Sequence, residues 1–369
     1  MLKRVEISNF KQFSSLVIDF SDVRNYNYSR DCLSTDGLPL VKTGLVYGRN
    51  ASGKTNLGLA LFDIVLHLTD RFRVPEFYNF YLNADHPDQP AKFDYCFALK
   101  VGTVRYVYEK LSPEELVSES LYVDDHLVFT WNRQNGTEDF SHLVDFGFER
   151  LNWAFKDGSL SFLRYIANNS VLTEDSPVKE LMNFVNTMLW FRRMDNGNMF
   201  MGYRTTSENL DQFIISNNLV QDFEKFLNQQ DVQEKLEVLE GPDGTRGLYF
   251  QHKRKIPFFS VASSGTLTLA VFFYWMQTFK KASFIFMDEF DAFYHFEAAE
   301  SIFKAAKGLA NQLMLTTHNT NLLKTEMTRP DCCFLMNQGH LSSFANLTDR
   351  EIREGNNLEK LFQSGEFDG

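Results

Sequence analysis

A short glycine-rich stretch carries the clearest chemistry in the sequence. Residues 48–55 read GRNASGKT, which fits the pattern GxxxxGK[ST]. In this pattern the glycines let backbone N–H groups curl around a phosphate at the start of a helix, where the helix dipole favours an anion. Lys54 would reach the β- and γ-phosphates of a nucleotide, and Thr55 would offer its hydroxyl to Mg²⁺. The stretch predicts a nucleotide-binding loop formed by Gly48, Asn50, Ala51, Ser52, Gly53, Lys54 and Thr55.

Two acidic residues close a second stretch, FIFMDE at 284–289. A continuous apolar run is typical of a buried parallel strand, and open α/β sheets bind ligands at the carboxyl ends of their strands. We expect Asp288 to hold Mg²⁺ through its water shell and Glu289 to act as the general base on the attacking water. An apolar run before Asp-Glu is common by itself, and it is the glycine loop that gives this one a function.

A histidine ends a third apolar run, LMLTTH at 313–318. A lone histidine at the end of a strand is usually a surface residue. In a sheet that already carries a glycine loop and an acidic pair, however, we expect His318 to contact the γ-phosphate and to take part in catalysis.

The fourth stretch, ASSGT at 262–266, stands at the start of a helical run. Alone it predicts only a helix N-cap. A small polar turn with glycine at a helix start can also bind an anion, and the glycine loop already serves the phosphates of its own subunit. Ser264 and Gly265 are therefore predicted to complete a nucleotide site in trans, across a dimer.

An alternation of strands and helices must position these residues. Residues 4–20 alternate apolar and polar side chains around Asn9-Phe10-Lys11 and predict a β-hairpin. Residues 43–47 predict a strand that runs into the glycine loop, and 57–68 predict the helix after it. The remaining predicted strands are 93–99, 104–108, 121–123, 247–251, 283–287 and 312–316, and the remaining predicted helices are 178–190, 219–227, one from Thr266 and 292–308.

This order of elements predicts an α/β fold interrupted by a mostly helical middle. We divide the chain into 1–110 with the glycine loop, 111–245 as a β-hairpin and helical insertion, and 246–369 with the other three motifs. The sequence contains no sustained heptad repeat, so a long coiled coil is not expected.

The composition excludes several classes of protein. The chain has 369 residues with a net charge of −11, 44% hydrophobic and 23% charged, which excludes a disordered or collagen-like protein. The acidic balance disfavours non-specific nucleic-acid binding but does not exclude a local basic groove. The four cysteines contain no CxxC pair and predict reduced thiols. The charged start at residues 1–6 has no apolar region behind it and so does not predict a signal peptide, and the longest apolar run, near Leu267 to Trp275, is too short to span a bilayer. We therefore expect a cytoplasmic protein without a membrane partner.

Taken together and in this order, the motifs resemble the ABC-type ATPase heads of the SMC/RecF group. Within that group they look most like the bacterial ATPases related to the OLD (overcoming lysogenisation defect) and abortive-infection proteins, RloA-like and without a Toprim domain. The resemblance covers about 1–110 and 245–369. The matching segments are NFKQF at 9–13, YGRNASGKTN at 47–56, SSGT at 263–266, FMDEFDAFYH at 286–295, TTHNTNLL at 316–323 and DREIREGNNLEKLFQSGEF at 349–367.

The resemblance implies a P-loop NTPase whose head combines a β-hairpin-rich subdomain with a parallel-sheet core. It implies ATP and Mg²⁺ as cofactors, and a homodimer or higher homo-oligomer that closes around ATP. It adds Lys11 and Asn56 to the nucleotide contacts and places Asp291 and His295 close to the dimer seam. A convincing Q-loop glutamine is missing, Gln89 being a weak candidate, and no Toprim nuclease follows the head.

Three functions stay open at this point. The first is a nucleotide-gated sensor in bacterial anti-phage defence that controls a separate effector such as a nuclease or toxin, since the 37 phenylalanines and the aromatic-rich insertion suit protein contacts. The second is a RecF-like DNA-binding ATPase of repair or maintenance, because basic residues cluster just before the SSGT turn at 263–266, which the resemblance places at the signature position of these ATPases, and further upstream. These are Arg246, His252, Lys253, Arg254 and Lys255, with Arg192, Arg193 and Arg204 upstream. The third, a transporter subunit, is disfavoured by the weak Q-loop and the SSGT signature.

Overall fold

The structure is a computed structural model that describes residues 1–35, 37–69, 75–148, 151, 160–194, 197–202, 209–241, 244–279, 281–291 and 296–367. The strands among these residues are β1 Leu2–Phe10, β2 Phe13–Asp19, β3 Thr43–Tyr47, β4 Ala91–Leu99, β5 Gly102–Lys110, β6 Leu116–Val123, β7 His126–Asn132, β8 Thr137–Asp139, β9 Leu189–Met194, β10 Gly197–Gly202, β11 Leu236–Glu240, β12 Arg246–Phe250, β13 Ile256–Pro257, β14 Phe284–Asp288, β15 Gln312–Thr316, β16 Cys333–Asn337 and β17 His340–Ser343. The α-helices among them are α1 Lys54–Leu68, α2 Phe162–Asn169, α3 Pro177–Asn186, α4 Leu210–Ser216, α5 Val220–Gln229, α6 Phe258–Val261, α7 Ser264–Phe279, α8 Phe296–Lys307 and α9 Leu358–Gln363.

The chain divides into two compact units. The first unit consists of Met1–Thr205, Ser283–Glu289 and Asn311–Gly369, and the second of Thr206–Ala282 and Phe290–Ala310. The glycine loop, the acidic pair and His318 therefore belong to the first unit, whereas Ser264 and Gly265 belong to the second. The division into three consecutive segments at 110 and 245 stays a prediction.

One sheet of the first unit is antiparallel throughout. Its strand order is β2-β1-β4-β5-β6-β7-β8. Phe10 pairs with Phe13 at the end of β1, so Lys11 and Gln12 form the turn of a tight hairpin. This confirms the predicted hairpin and the predicted β-rich runs.

The other sheet of the first unit carries the chemical motifs. Its order is β10-β9-β14-β15-β3-β16-β17. The inner strands β9, β14, β15, β3 and β16 run parallel, and the edge strands β10 and β17 run antiparallel to their neighbours. Every residue of β3, β14 and β15 is buried, which explains their continuous apolar sequences. The predicted α/β fold, with a hairpin-rich antiparallel sheet and a parallel-sheet core, is confirmed.

The predicted helix at 178–190 was wrong at its end. Helix α3 stops at Asn186, and the next residues, Leu189-Trp190-Phe191, enter β9 and lie beside β14. Helical spacing of buried residues holds for Val178, Leu181 and Val185, but the bulky run that follows suits a buried strand. The middle of the chain thus contributes a strand to the central sheet as well as helices. The predicted start of the 292–308 helix lies outside the described residues, which resume at Phe296 with α8.

Helix α1, which follows the glycine loop, is packed between the two sheets. A Cβ at Gly58 would lie 2.7 Å from the ring of Phe286 and 2.8 Å from that of Trp190, so glycine is needed for this close approach to the parallel sheet. Toward the antiparallel sheet, the Tyr95 hydroxyl donates to the Ala60 carbonyl at 2.7 Å. The helix that begins with Lys54 is therefore held from both sides.

Buried polar side chains strengthen this packing. The carboxylate of Asp63 on α1 accepts from Tyr108 at 2.8 Å and from the Lys110 ammonium at 3.2 Å. One helical turn later, His67 Nε2 lies 2.8 Å from the Tyr106 hydroxyl. Burial lowers the pKa of His67 well below its ordinary value, so the ring is neutral in the core. Satisfied polar groups in a dry core specify one arrangement, and here they fix α1 against the sheet.

The second unit has an aromatic core of its own. Phe223 and Phe226 of α5 pack against Phe273 of α7 with ring centroids 5.1 and 5.6 Å apart. Its antiparallel sheet has the order β11-β12-β13. Across the part of the chain that the structure describes, no helix is long and apolar enough to cross a membrane.

Candidate active site

The glycine loop joins β3 to α1, as its motif predicts. Ala51 and Gly53 take left-handed backbone conformations with φ of 61° and 114°. A Cβ at Gly48 would lie 2.6 Å from Ser52 Oγ and 2.7 Å from the Met336 carbonyl oxygen. Glycine is thus required at Gly48 by space and is favoured at Gly53 by backbone conformation.

Lys54 is the first residue of α1, and its side chain turns back into the loop. Its ammonium group donates to the carbonyl oxygens of Gly48 at 2.8 Å and Arg49 at 3.1 Å. Only 6% of Lys54 is exposed. A buried positive charge at a helix N-terminus is an arrangement suited to a phosphate anion.

A chain of short hydrogen bonds connects the three motifs of the first unit. The Thr55 hydroxyl donates to Asp288 Oδ2 at 2.8 Å, and the Thr316 hydroxyl donates to Asp288 Oδ1 at 2.8 Å. The backbone N–H of Glu289 in turn donates to the Thr316 hydroxyl at 2.7 Å. Asp288 and Thr316 are 1% and 0% exposed. These hydrogen bonds therefore join the carboxyl ends of β14 and β15 to the start of α1.

Glu289 directly follows Asp288, the last residue of β14. It is exposed, its φ of 50° lies in the left-handed region, and it lines a cleft of about 390 Å³ together with Lys54 and Thr55. Left-handed backbone at a residue other than glycine is strained and is concentrated at functional sites. Asn50, Ala51, Gly53 and Asn56 line the same cleft, and Ser52 lies in the loop between them.

His318 is exposed and lines a second cleft of about 510 Å³ with Gly48 and Arg49 of the glycine loop. His318 follows strand β15, which lies beside β3, and the N–H of Thr317 still donates to the Val46 carbonyl of β3 at 3.0 Å. This pairing places His318 next to the loop that follows β3. The structure thus brings His318 beside the loop, and its contact with a γ-phosphate stays a prediction.

The hairpin turn supplies a residue that the sequence did not single out. Gln12 lines the first cleft, where its amide donates to the Ser52 carbonyl at 2.8 Å and accepts from the Asn56 side chain at 2.8 Å. The neighbouring Lys11 donates to the Asn79 carbonyl at 3.1 Å, and its predicted contact with nucleotide stays a prediction. Partial burial lowers the pKa of the Lys11 ammonium. Glutamine is common in turns, so the sequence carries no signal that marks Gln12 as a site residue. Only the proximity of the hairpin turn to the glycine loop in the structure identifies it.

The weak Q-loop candidate Gln89 lies outside this hairpin, in the turn that precedes β4. Its backbone carbonyl accepts from the Asn9 side chain at 2.5 Å, just before β4 begins. Nothing in the described contacts of Gln89 connects it to the glycine loop.

In the second unit, the predicted anion-binding turn begins α7. The N–H of Thr266 donates to Ser263 Oγ at 3.1 Å, so Ser263 caps the helix, and Ser264 is exposed beside it. Gly265 follows within the first turn of α7. Asp291 belongs to this unit, and His295 lies outside the described residues.

The basic cluster before this turn is partly neutralised. His252 Nε2 lies 3.4 Å from a Glu234 carboxylate oxygen, and Lys255 forms an ion pair with Glu237. Arg192 and Arg193 belong to β9, and Arg204 lies outside the described residues. Paired surface charges of this kind are typical of a solvated face.

Whether these residues fit Mg²⁺ and a nucleotide can be tested on the donors present. Magnesium prefers oxygen ligands, keeps several waters and takes only one or two from the protein besides phosphate. The Thr55 hydroxyl and the Asp288 carboxylate, 2.8 Å apart, supply oxygens of that kind. In the described part of the chain no three His, Cys, Asp or Glu side chains converge as a metal site by themselves. The donor set fits a magnesium ion that also needs phosphate.

Fold and site together define a P-loop NTPase. The match to a family model makes this more specific: residues 45–324 match the family described as "AAA domain, putative AbiEii toxin, Type IV TA system". The chain belongs to that family. A search of curated proteins finds no match.

Among solved structures the chain is similar to heads of SMC proteins. The SMC head domain from Thermotoga maritima is 15% identical, with 93% of this chain and 98% of that chain covered and a TM-score of 0.45. An SmcHead bound to the C-winged helix domain of ScpA is 14% identical, with 92% and 96% covered and a TM-score of 0.46. A Pyrococcus furiosus Smc head with an extended coiled coil, bound to the C-terminal domain of ScpA, is 13% identical, with 94% and 97% covered and a TM-score of 0.44.

Proposed function

We propose that the protein binds ATP with Mg²⁺ in the cleft of the glycine loop and hydrolyses it. The observation that carries this proposal is the hydrogen-bonded chain Thr55–Asp288–Thr316–Glu289, which joins three motifs and whose two ends, Thr55 and Glu289, line one cleft. Such a chain positions a metal-binding carboxylate and a general base relative to the same loop, and positioning with electrostatic stabilisation supplies most of the catalysis of phosphoryl transfer.

Each residue then has a role. Gly48, Gly53 and the loop amides bind phosphate oxygens, while Lys54 neutralises their charge. Thr55 and Asp288 would hold the Mg²⁺, which when bound shields the charge on the β- and γ-phosphate oxygens. Exposed Glu289 accepts a proton from the attacking water, and His318 completes the contacts from the β15 side.

The proposal extends to a dimer. Ser264 is exposed at the start of a capped helix of 16 residues, where the N-terminal amides and the serine hydroxyl can bind an anion. In the proposed homodimer Ser264 and Gly265 of one subunit contact the ATP held by Lys54 of the other, so that ATP joins the two subunits.

A Ser264→Arg variant tests this arrangement. We expect it to bind ATP as the wild type does but to remain monomeric and to hydrolyse ATP about 10²-fold more slowly, because a positioned donor to the transferring phosphate is lost. Analytical ultracentrifugation with and without Mg²⁺-ATP measures the first effect, and phosphate release the second. Thr173→Arg adds the same side chain at an exposed position of the other unit and is the control. ATP-dependent dimers of Ser264→Arg would contradict the trans site.

We propose further that the ATP-gated dimer is the sensor of a bacterial abortive-infection system and controls a separate nuclease or toxin. This follows from the resemblance to the OLD and abortive-infection ATPases and agrees with a family described by a toxin of a type IV toxin–antitoxin system. The test is deletion of the gene in its host, followed by phage challenge, together with affinity capture of the protein expressed from its own locus. Increased phage sensitivity and recovery of an effector support the role. Unchanged sensitivity with stimulation of the ATPase by duplex DNA at low salt would favour the DNA-maintenance alternative.

A further inference from the structure

The segment 349–367 is part of the sequence resemblance, yet the roles proposed above use none of its residues. It belongs to the first unit and contains helix α9, Leu358–Gln363. Asn357 caps this helix, because its side chain accepts from the N–H of Lys360 at 2.8 Å. Leu358 is 0% exposed. Helix α9 is therefore anchored in the first unit, which also contains the glycine loop and His318.

A short hydrogen bond joins α9 to the loop 317–322, which follows β15 and carries His318; we call this loop the histidine loop. The Thr320 hydroxyl donates to Glu359 Oε1 at 2.6 Å. A hydrogen bond to a carboxylate is stronger than one between neutral groups. Both side chains are half-buried, which strengthens the bond further because less water surrounds it. Glu359 thus anchors the histidine loop.

An aromatic contact connects α9 to the same loop by a second route. Phe362 of α9 packs on Tyr47 with ring centroids 5.5 Å apart, and the Tyr47 hydroxyl donates to the Asn319 carbonyl at 3.2 Å. Tyr47 is the last residue of β3 and is 1% exposed. Helix α9 therefore contacts the histidine loop directly through Glu359 and indirectly through Tyr47.

The same helix forms part of the wall of the cleft that contains His318. Phe362 lines this cleft together with His318 and with Gly48 and Arg49 of the glycine loop. His318 is exposed, so its position relative to the glycine loop depends on the backbone that carries it. Catalysis of phosphoryl transfer consists largely of positioning, and a small displacement of a positioned group can lower the rate substantially.

We propose that Glu359 is a positioning residue of the ATPase site, which through Thr320 holds the histidine loop where hydrolysis requires it. This rests on the proposed ATP site and on the proposed contact of His318 with the γ-phosphate. Glu359 acts on the loop and not on the nucleotide. Its loss therefore lowers the rate of hydrolysis and leaves the binding of ATP to the glycine loop in place.

Thr320→Val removes the hydroxyl at nearly constant volume and tests this role. We expect kcat to fall about 3- to 10-fold, the effect of one ordinary hydrogen bond, while KM for ATP stays within about 2-fold of the wild type. Thr320→Ser keeps the hydroxyl and should restore the rate. Glu359→Ala should reproduce the loss with Thr320 in place, and Glu359→Gln, which keeps an acceptor oxygen, should restore part of it. Phosphate release at limiting and saturating Mg²⁺-ATP measures kcat and KM.

A double-mutant cycle with His318 separates positioning from a general effect on stability. Once His318→Ala has removed the imidazole, Thr320→Val should cause no further loss, because the hydroxyl acts through that side chain. Thr348→Val is the matched control. The Thr348 hydroxyl donates to a Glu366 carboxylate oxygen at 2.5 Å, a bond of the same kind within the same part of the chain, and its removal should leave kcat unchanged.

The outcomes distinguish this role from the ATPase function on which it rests. A wild-type kcat in both Thr320→Val and Glu359→Ala, or equal losses with and without His318, would overturn the positioning role and leave the ATPase intact. A loss of the same size in Thr348→Val would also overturn it, because the effect would then not be specific to the histidine loop. A wild-type protein that hydrolyses no ATP would overturn the proposed function itself.

Discussion

Replacement of Lys54 by alanine is expected to abolish ATP hydrolysis and to weaken ATP binding by about 10- to 150-fold. The ammonium is buried at the N-terminus of α1 and donates to two loop carbonyls, so it is already positioned for a phosphate. A hydrogen bond to a charged group contributes about 1.5–3 kcal/mol, which gives the stated range of affinity. Calorimetric titration with Mg²⁺-ATP measures the binding, and release of inorganic phosphate measures the hydrolysis.

Two controls separate a lost contact from a damaged loop. Thermal unfolding of Lys54→Ala without nucleotide should stay within a few degrees of the wild type, because helix α1 is anchored by Asp63, His67 and the close contact at Gly58. Lys54→Arg keeps the charge but has a longer, planar head group and should recover only part of the affinity. ATP binding that survives Lys54→Ala unchanged would remove the glycine loop from the proposed site.

Replacement of Glu289 by glutamine is expected to separate binding from hydrolysis. Glutamine preserves the size and the exposed position of the side chain at the end of β14 but cannot accept a proton from water. We expect ATP affinity close to that of the wild type and hydrolysis slower by about 10²–10⁴-fold, the usual contribution of a general base. In the proposed dimer the ATP-bound form should then accumulate, and size-exclusion chromatography with multi-angle scattering will detect it.

Thr316 allows the positioning of Glu289 to be tested apart from its chemistry. Its buried hydroxyl donates to Asp288 and accepts the N–H of Glu289, so Thr316→Val removes both bonds at nearly constant volume. The loss in hydrolysis should be smaller than for Glu289→Gln, and ATP should still bind. If Glu289→Gln hydrolysed ATP at the wild-type rate, Glu289 would have no catalytic role, whatever Thr316→Val did.

Much of the fold was predictable because its signals are local. The continuous apolar runs of β3, β14 and β15 end at Tyr47, Asp288 and Thr316, and parallel strands in one sheet bring such ends together. The glycine loop follows from backbone conformation and space at Gly53 and Gly48. These features depend on residues close in the chain, so sequence patterns report them.

Other features depend on pairing between distant segments. Strand β9 continued an amphipathic helix in sequence, and its place beside β14 is decided by contacts about a hundred residues along the chain. Gln12 carries no motif, and it belongs to the candidate site only because the hairpin turn meets the glycine loop in the folded chain. Local propensity is a weak guide where tertiary packing can override it.

The sequence by itself located the residues on which the proposed chemistry depends: a glycine loop, a carboxylate pair and a histidine, each at the end of a buried strand. Those residue types at those spacings are dictated by backbone geometry and charge, which are local properties. Only the tertiary structure decided how they are joined, through the Thr316 hydroxyl between Asp288 and Glu289, and that Gln12 of the hairpin turn bonds to the glycine loop. The physical reason is that hydrogen bonds and burial between segments far apart in the chain arise from packing, which no single stretch of sequence contains.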